Sequence, residues 1–281
     1  MSIKAVVTDM DGTLLNPAHQ ISDYTASVLK RLKERGIHFI VATGRPYGEV
    51  IQTIRKCQLE PDFILTSNGG WLHDGGFNVV LEHNIPSNLA QKLVLLHTLP
   101  HPEGGNAAAK TFVTNVYRNT EWLTDRDVPE ISGGLHKNLP CTVLGEDLYA
   151  LPTEELQGVH QIWYYGETEE LRAVSTQLSA TFGTDLCWTF SAPMMIDCGP
   201  VGVTKGNGVR EVAEILKLRL EDVACFGDAL NDESMLQIAG KAYIMENGQQ
   251  ELKDVIAHGE VIGSNANDGV ARKLEQLFFS S

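Results

Sequence analysis

The sequence predicts an α/β protein built on a parallel sheet, with a second, mixed α+β domain inserted into it. Three observations carry that reading. Short apolar, β-branched runs recur at Ile3 to Thr8, Ile37 to Ala42, Phe63 to Thr66 and Val223 to Phe226, and each stops abruptly at polar residues. The first two of these runs are separated by a helical pattern, as in a βαβ unit. Between about His83 and Trp188 the pattern changes to helix and strand signals broken by Pro- and Gly-containing loops, too long a stretch for a loop. The expected boundaries are residues 1–83 and 189–281 for the discontinuous first domain and 84–188 for the inserted one.

The first strand ends at Asp9-Met10-Asp11-Gly12-Thr13. Strand alternation is expected to send Asp9 and Asp11 the same way, with Gly12 letting the chain turn. Asp and Gly are also ordinary turn formers. Two carboxylates this close, however, repel by about 4 kcal/mol at 4 Å and an effective dielectric near 20, a cost usually offset by a cation or a shared proton. Ser22 or Asp23 begins a helix running to about Arg35, with Tyr24, Val28, Leu29 and Leu32 as its apolar stripe and Gly36 as its stop. The second strand ends at Thr43-Gly44-Arg45-Pro46, where Pro46 suits a first helical turn and Thr43 lies beside helix amides that favour anions. The third strand ends at Ser67-Asn68-Gly69-Gly70. A hairpin then joins Trp71–His73 to Phe77–Leu81 through Asp74-Gly75-Gly76.

In the inserted segment, helices are expected at Ser87–His97 and Thr168–Phe182, and strands at Thr111–Tyr117 and His160–Tyr165. His97 and His101 have a zinc-like spacing, but Pro100 between them breaks a helix, so they read as surface residues. Arg118, His136 and His160 carry no assignable role. The chain is expected back in the first domain near Phe190, with Met194–Cys198 as a strand of that domain. Val203-Thr204-Lys205-Gly206 follows, with Thr204 capping a helix to about Leu216. The residue before Lys205 is Thr204 and not Gly, so this is no P-loop. The last clear apolar strand ends at Gly227-Asp228-Ala229-Leu230-Asn231-Asp232, with Asn231 and Asp232 opening a helix that turns Met235, Leu236 and Ala239 inward.

The 281 residues are 43% hydrophobic, with a formal net charge of −14 and a sequence pI near 5.0. An acidic surface makes nucleic acid and anionic membrane poor partners. A small phosphorylated molecule remains compatible, because one cation and one lysine set the field inside a pocket. Cys57, Cys141, Cys187, Cys198 and Cys225 are scattered, which disfavours zinc and fits free thiols in a reducing compartment. No secretory signal or membrane-length apolar run is read, so the expected location is cytoplasmic, as a monomer or small homo-oligomer.

Four segments, Asp9-Met10-Asp11-Gly12-Thr13-Leu14, Thr43-Gly44-Arg45, Lys205 and Gly227-Asp228 through Asp232, occur after strands in one order. In this they resemble the motifs of the haloacid dehalogenase (HAD) superfamily, and the core as a whole resembles its Cof-like phosphatases. The resemblance implies a Rossmann-like HAD core with an inserted cap domain. Only one helix and one strand fit between Asp11 and Thr43, so the insertion between Asn68 and Lys205 corresponds to a class II cap, and its α+β pattern to subtype IIB. It also implies Mg²⁺ held by Asp9 and Asp228 side chains and the Asp11 carbonyl, Asp9 as nucleophile and Asp11 as general acid and base. Thr43, Gly44, Lys205 and Asn231 would bind the phosphoryl group, and Asp232 would orient its neighbours. Arg45 either reaches substrate or anchors its loop, and Asn68 either lines the site or only makes a turn. The implied function is hydrolysis of small phosphorylated metabolites, sugar phosphates among them. Rival readings are a phosphomutase of the phosphomannomutase type and a non-catalytic metabolite sensor.

Overall fold

The computed structural model describes residues 3–98, 112–135 and 139–280. In chain order its strands are β1 (Ala5–Thr8), β2 (His38–Ala42), β3 (Phe63–Thr66), β4 (Trp71–Asp74), β5 (Val79–Glu82), β6 (Val113–Arg118), β7 (Glu121–Thr124), β8 (Cys141–Val143), β9 (Val159–Tyr165), β10 (Leu186–Ala192), β11 (Met195–Pro200), β12 (Val223–Gly227), β13 (Lys241–Met245) and β14 (Glu260–Ile262). The helices are α1 (Asp23–Glu34), α2 (Tyr47–Lys56), α3 (Ser87–Val94), α4 (Thr168–Phe182), α5 (Lys205–Leu216), α6 (Glu233–Ile238), α7 (Gln250–Val255) and α8 (Gly269–Phe278). The chain forms two compact units. The first holds the described residues up to Arg45, Val50–Leu81 and those from Thr204 onward; the second holds Pro46–Glu49 and the described residues of Glu82–Val203.

The first unit is an eight-stranded sheet in the order β14-β13-β12-β1-β2-β3-β4-β5. Its strands from β14 to β3 pair in parallel, and β4 returns antiparallel beside β3. Alternation along the strands explains the two-sided core. Val6, Phe39, Val41 and Phe226 pack in one buried cluster with Val28, Leu29 and Leu32 of α1 and Leu274 of α8. Val7, Ile40, Ala42 and Cys225 pack in another with Val209 and Val212 of α5 and Met235 and Leu236 of α6. The register sets Thr8 beside both Val41 and Phe226, and Ala42 beside Leu65. The residues that follow β12, β1, β2 and β3 therefore emerge along one edge of the sheet, the carboxyl edge where open α/β sheets bind ligands.

The second unit is a six-stranded sheet in the order β10-β11-β9-β6-β7-β8, antiparallel except for the β7–β8 pair. One cluster joins Val116, Ile162, Tyr164 and Ile196 to α3 and α4 through Leu93, Leu171 and Leu178. A smaller aromatic cluster holds Tyr117, Trp122, Trp163 and Ile131.

The sequence expectation differs from this structure in one substantial respect. The strand expected at Met194–Cys198 in the first domain is part of β11, and it pairs antiparallel with β9 and β10 in the second sheet. The chain re-enters the first unit at Thr204 rather than near Phe190. A half-buried strand has the same period in either sheet, so its residue pattern does not name its neighbour. The helix expected at Ser87–His97 ends as α3 at Val94, with a tighter turn at Leu96–Thr98. Arg118 pairs with Glu121 at 2.7 Å, and His160 is buried, its Nε2 3.1 Å from the Asn119 carbonyl oxygen. His101, His136 and Thr111 lie outside the described residues.

Candidate active site

The site begins where β1 stops. The strand ends at Thr8 and the chain turns through Met10–Leu14, with Met10 fully buried and Gly12 at φ +75°. A Cβ at Gly12 would lie 2.2 Å from Asp228 Oδ2, so two chain segments meet where only a glycine fits. Thr13 Oγ1 donates to Asp228 Oδ1 at 2.6 Å and fixes that carboxylate from the same turn. Gly12→Ala is expected to cost about 1–2 kcal/mol from the left-handed backbone alone and to push Asp228 aside. A denaturant melt with a parallel cation titration checks this; an unchanged melt and affinity would show that the turn relaxes freely.

Behind that turn stands Lys205, the first residue of α5, fully buried. Its Nζ donates to Asp9 Oδ1 and to Asp232 Oδ1, each at 2.6 Å. The preceding Thr204 caps the helix by accepting from the Asn207 amide. A Cβ at Gly206 would come 2.5 Å from the Ser234 carbonyl oxygen, so α5 and α6 approach closely there. Asp232 uses its other oxygen to accept the Asp228 and Ala229 amides at 2.8 and 3.0 Å. Asp9, Asp228 and Asp232 each offer a carboxylate oxygen, and these lie within 4.8 Å of one another.

Asp9 and Asp232 share one ammonium group with Asp228 close beside them, and the protonation of Asp9 and Asp228 reflects this crowding. Burial pushes Asp9 well above the usual carboxylate range, with Asp232, Asp228 and Asp11 adding to the effect and Lys205 opposing it. Asp228 is pushed up to about 7, again first by burial and then by Asp232. Burial pulls Lys205 down, but Asp232 and Asp9 more than reverse this and hold its amine charged. A hard divalent cation with oxygen ligands would remove the excess negative charge, so the donor set fits Mg²⁺.

Asp11 takes a different place from the one alternation suggested. Because β1 has already ended, Asp9 turns inward to Lys205 while the Asp11 side chain stays 37% exposed and is gripped by Arg45. Arg45 Nε and Nη2 each donate to one Asp11 oxygen at 2.6 Å, and His19 Nδ1 lies 3.6 Å away. Burial alone would raise Asp11, but the two bonds from Arg45 and the nearby His19 outweigh it and hold the carboxyl well below its ordinary value. The strongest repulsion thus falls among Asp9, Asp228 and Asp232, not between Asp9 and Asp11.

Thr43 is buried, and its Oγ1 accepts the Arg45 amide at 3.1 Å, with Gly44 between them. Asn68 lies in a turn with three consecutive positive φ values, at Ser67, Asn68 and Gly69. Two of these are non-glycine residues, at a cost of about 1–2 kcal/mol each. The turn is held by its surroundings: the Ser67 amide donates to the Arg45 carbonyl and the Asn68 amide to the Thr43 carbonyl. A Cβ at Gly69 would come 2.7 Å from the Thr204 carbonyl oxygen. Asn231 Nδ2 donates to Asn68 Oδ1 at 3.0 Å, which links the turn to the Asp228 loop.

All ten sequence-expected site residues therefore lie along one edge of the first unit. Two contributors carried no assigned role in the sequence. Thr13 was legible as a hydroxyl just past the Gly12 turn. His19 sits in a polar loop with nothing in its neighbourhood to mark it.

A family model for haloacid dehalogenase-like hydrolases matches residues 6–274. The chain is 32% identical to an HMP-PP phosphatase of Enterobacter sp. (strain 638) over 268 residues, covering 95% of this chain and 92% of that protein. It is 31% identical to an HMP-PP phosphatase of Cronobacter sakazakii over 266 residues, with the same coverage of 95% and 92%. Among solved structures, a haloacid dehalogenase-like hydrolase from B. subtilis superposes with a TM-score of 0.84 at 23% identity, over 98% of this chain and 100% of that one. The HAD subclass IIB sugar phosphatase BT4131 gives 0.78 at 21%, over 97% and 98%. With its parallel sheet, its inserted second unit and its acidic edge joined to that match across nearly the whole length, the chain belongs to the haloacid dehalogenase-like hydrolases.

Proposed function

We propose that this HAD-type phosphatase is Mg²⁺-dependent and hydrolyses small phosphorylated metabolites through an aspartyl phosphate on Asp9. The observation that carries the reading is the buried Lys205 amine, 2.6 Å from both Asp9 and Asp232, with Asp228 completing a three-carboxylate group. Such an arrangement is costly as mere packing, since each buried charge must recover its lost hydration. It is well suited to stabilising charge on a phosphoryl group and aiming a nucleophile at it.

Asp9 and Asp228 side chains and the Asp11 carbonyl would hold the Mg²⁺, which when bound supplies charge neutralisation for the phosphoryl oxygens. Lys205 keeps Asp9 oriented and offers its remaining proton to the ester. Thr43 and Asn231 donate to phosphoryl oxygens, and Asp232 fixes both Lys205 and the Asp228 turn. An Asp9 oxygen attacks phosphorus as the ester P–O bond breaks, and the departing oxygen takes a proton from Asp11. Asp11, now a carboxylate, then accepts a proton from water. That water attacks the aspartyl phosphate, releasing inorganic phosphate and restoring Asp9.

The ionised, Arg45-paired state of Asp11 is the form needed for the second half of this sequence. The first half requires that the anionic ester draw Arg45 away and let Asp11 take up a proton. Asp11→Asn is accordingly expected to lower turnover of alkyl phosphates by about 10²–10⁴-fold. The formation of the intermediate from p-nitrophenyl phosphate, whose leaving group needs no proton, should suffer far less. Burst kinetics on both substrates check this, and equal losses in the burst would count against the acid role.

Phosphate release from a panel of sugar phosphates and HMP-PP, with Mg²⁺ present, tests the reading as a whole. HMP-PP belongs on the panel because relatives bear that name, and sugar phosphates because a structural neighbour does. Conversion of mannose 6-phosphate to mannose 1-phosphate without phosphate release would favour a mutase. Binding without turnover across the panel would favour a sensor.

A further inference from the structure

We infer that the loop after β13, through Asn247 and Gln249, is a positioning element for the cation site, holding the two carboxylate-bearing turns in register. The inference rests on the metal-dependent reading above. Neither residue belongs to the four motifs, and both act through the backbone of the turns that carry the donors.

Asn247 Nδ2 donates to the Gly12 carbonyl oxygen at 2.8 Å, pinning the turn that contains Asp9 and Asp11. Its Oδ1 accepts the Asn265 amide at 2.9 Å, and Asn265 Nδ2 donates to the Leu15 carbonyl oxygen at 2.8 Å, so the same turn is held at its middle and just past its end. Gln249 grips the other turn. Its amide donates to the Asp228 carbonyl oxygen at 2.8 Å and its Oε1 accepts the Leu230 amide at 3.0 Å. Between them Gly248 permits the close approach, since a Cβ there would lie 3.0 Å from the Asp228 carbonyl oxygen and 2.9 Å from that of Met245.

The geometric consequence follows from where the donors originate. Asp9 and Asp228 follow different strands, β1 and β12, and lie 219 positions apart in the chain. A cation with near-octahedral demands tolerates little drift between them. Thr13 ties one Asp228 oxygen to the first turn directly. The β13 loop adds a second brace, through main chain on both sides. Partners of this kind, which touch no metal, commonly govern metal affinity.

The test is calorimetric titration of the full chain with Mg²⁺, beside thermal melts of the metal-free protein. Asn247→Ala and Gln249→Ala are each expected to weaken Mg²⁺ binding about tenfold, while moving the metal-free melting temperature by no more than about 3 °C. Gln249→Glu keeps an acceptor for the Leu230 amide and is expected to restore most of the affinity. Unchanged affinity in both alanine variants would overturn the inference. So would a loss shared by Gln249→Glu, or one that merely tracks falling metal-free stability. If the unsubstituted protein and Asp228→Asn bind Mg²⁺ equally or not at all, it is the metal-dependent reading itself that fails.

Discussion

Asp9→Asn should reduce turnover by on the order of 10⁴–10⁶-fold, the scale seen when a covalent nucleophile is removed, while the protein stays folded. The amide is nearly isosteric, and it relieves a site in which burial and neighbouring acids already push Asp9 well above the carboxylate range. Lys205 keeps its 2.6 Å bond to Asp232, so its charge is not left alone. Stability is expected to hold or rise while catalysis vanishes, a combination that a structural role for Asp9 would not produce. Phosphate release under single-turnover conditions, with a melting curve on the same sample, decides the matter. Retained hydrolysis of p-nitrophenyl phosphate would refute the nucleophile assignment.

Removing divalent metal should lower activity by on the order of 10³-fold, corresponding to several kcal/mol of lost charge stabilisation. EDTA followed by excess Mg²⁺ provides the measurement, and hydrolysis indifferent to chelation would remove the cation from the reading. The pH dependence has a definite sign. Without a cation Asp228 titrates near 7 instead of 3.8, because of burial and then Asp232. A proton and Mg²⁺ therefore compete for it, and the half-saturating Mg²⁺ concentration should rise as pH falls below about 7, approaching tenfold per unit for one displaced proton. The metal-free protein should show the opposite trend in stability. Between 3.8 and about 7 the folded state holds a proton that the unfolded chain has lost, so Asp228 makes stability fall as pH rises through that window.

Much of the fold and the residues of the candidate site were legible in the sequence, for reasons that are local. The strands announce themselves by apolar runs that end at polar residues, and α4 falls at Thr168–Phe182 as its pattern indicates. Asp9 through Thr13 and Gly227 through Asp232 are legible because acids and glycines crowd the ends of buried strands, where ordinary capping accounts for them poorly. Thr204 is legible as a cap because a hydroxyl just before a helical pattern has a specific amide to accept.

Other features depend on which segments meet. Lys205 opens a helix and reads as exposed by position alone. It is fully buried because Asp9, 196 positions away, and Asp232 converge on its amine. Whether Asp11 or Asp232 joins the carboxylate group turned on where β1 ends, one residue before Asp9, and on the reach of Arg45. The placement of β10 and β11 in the second sheet, and the bonds from Asn247 and Gln249, leave no trace in local composition. The sequence by itself determined the elements, their faces and the residue types at their ends, since periodicity and capping act over a few residues. Only the tertiary structure decided which ends share one edge and which charges face one another, because hydrogen bonds and electrostatic forces act across space without regard to separation along the chain.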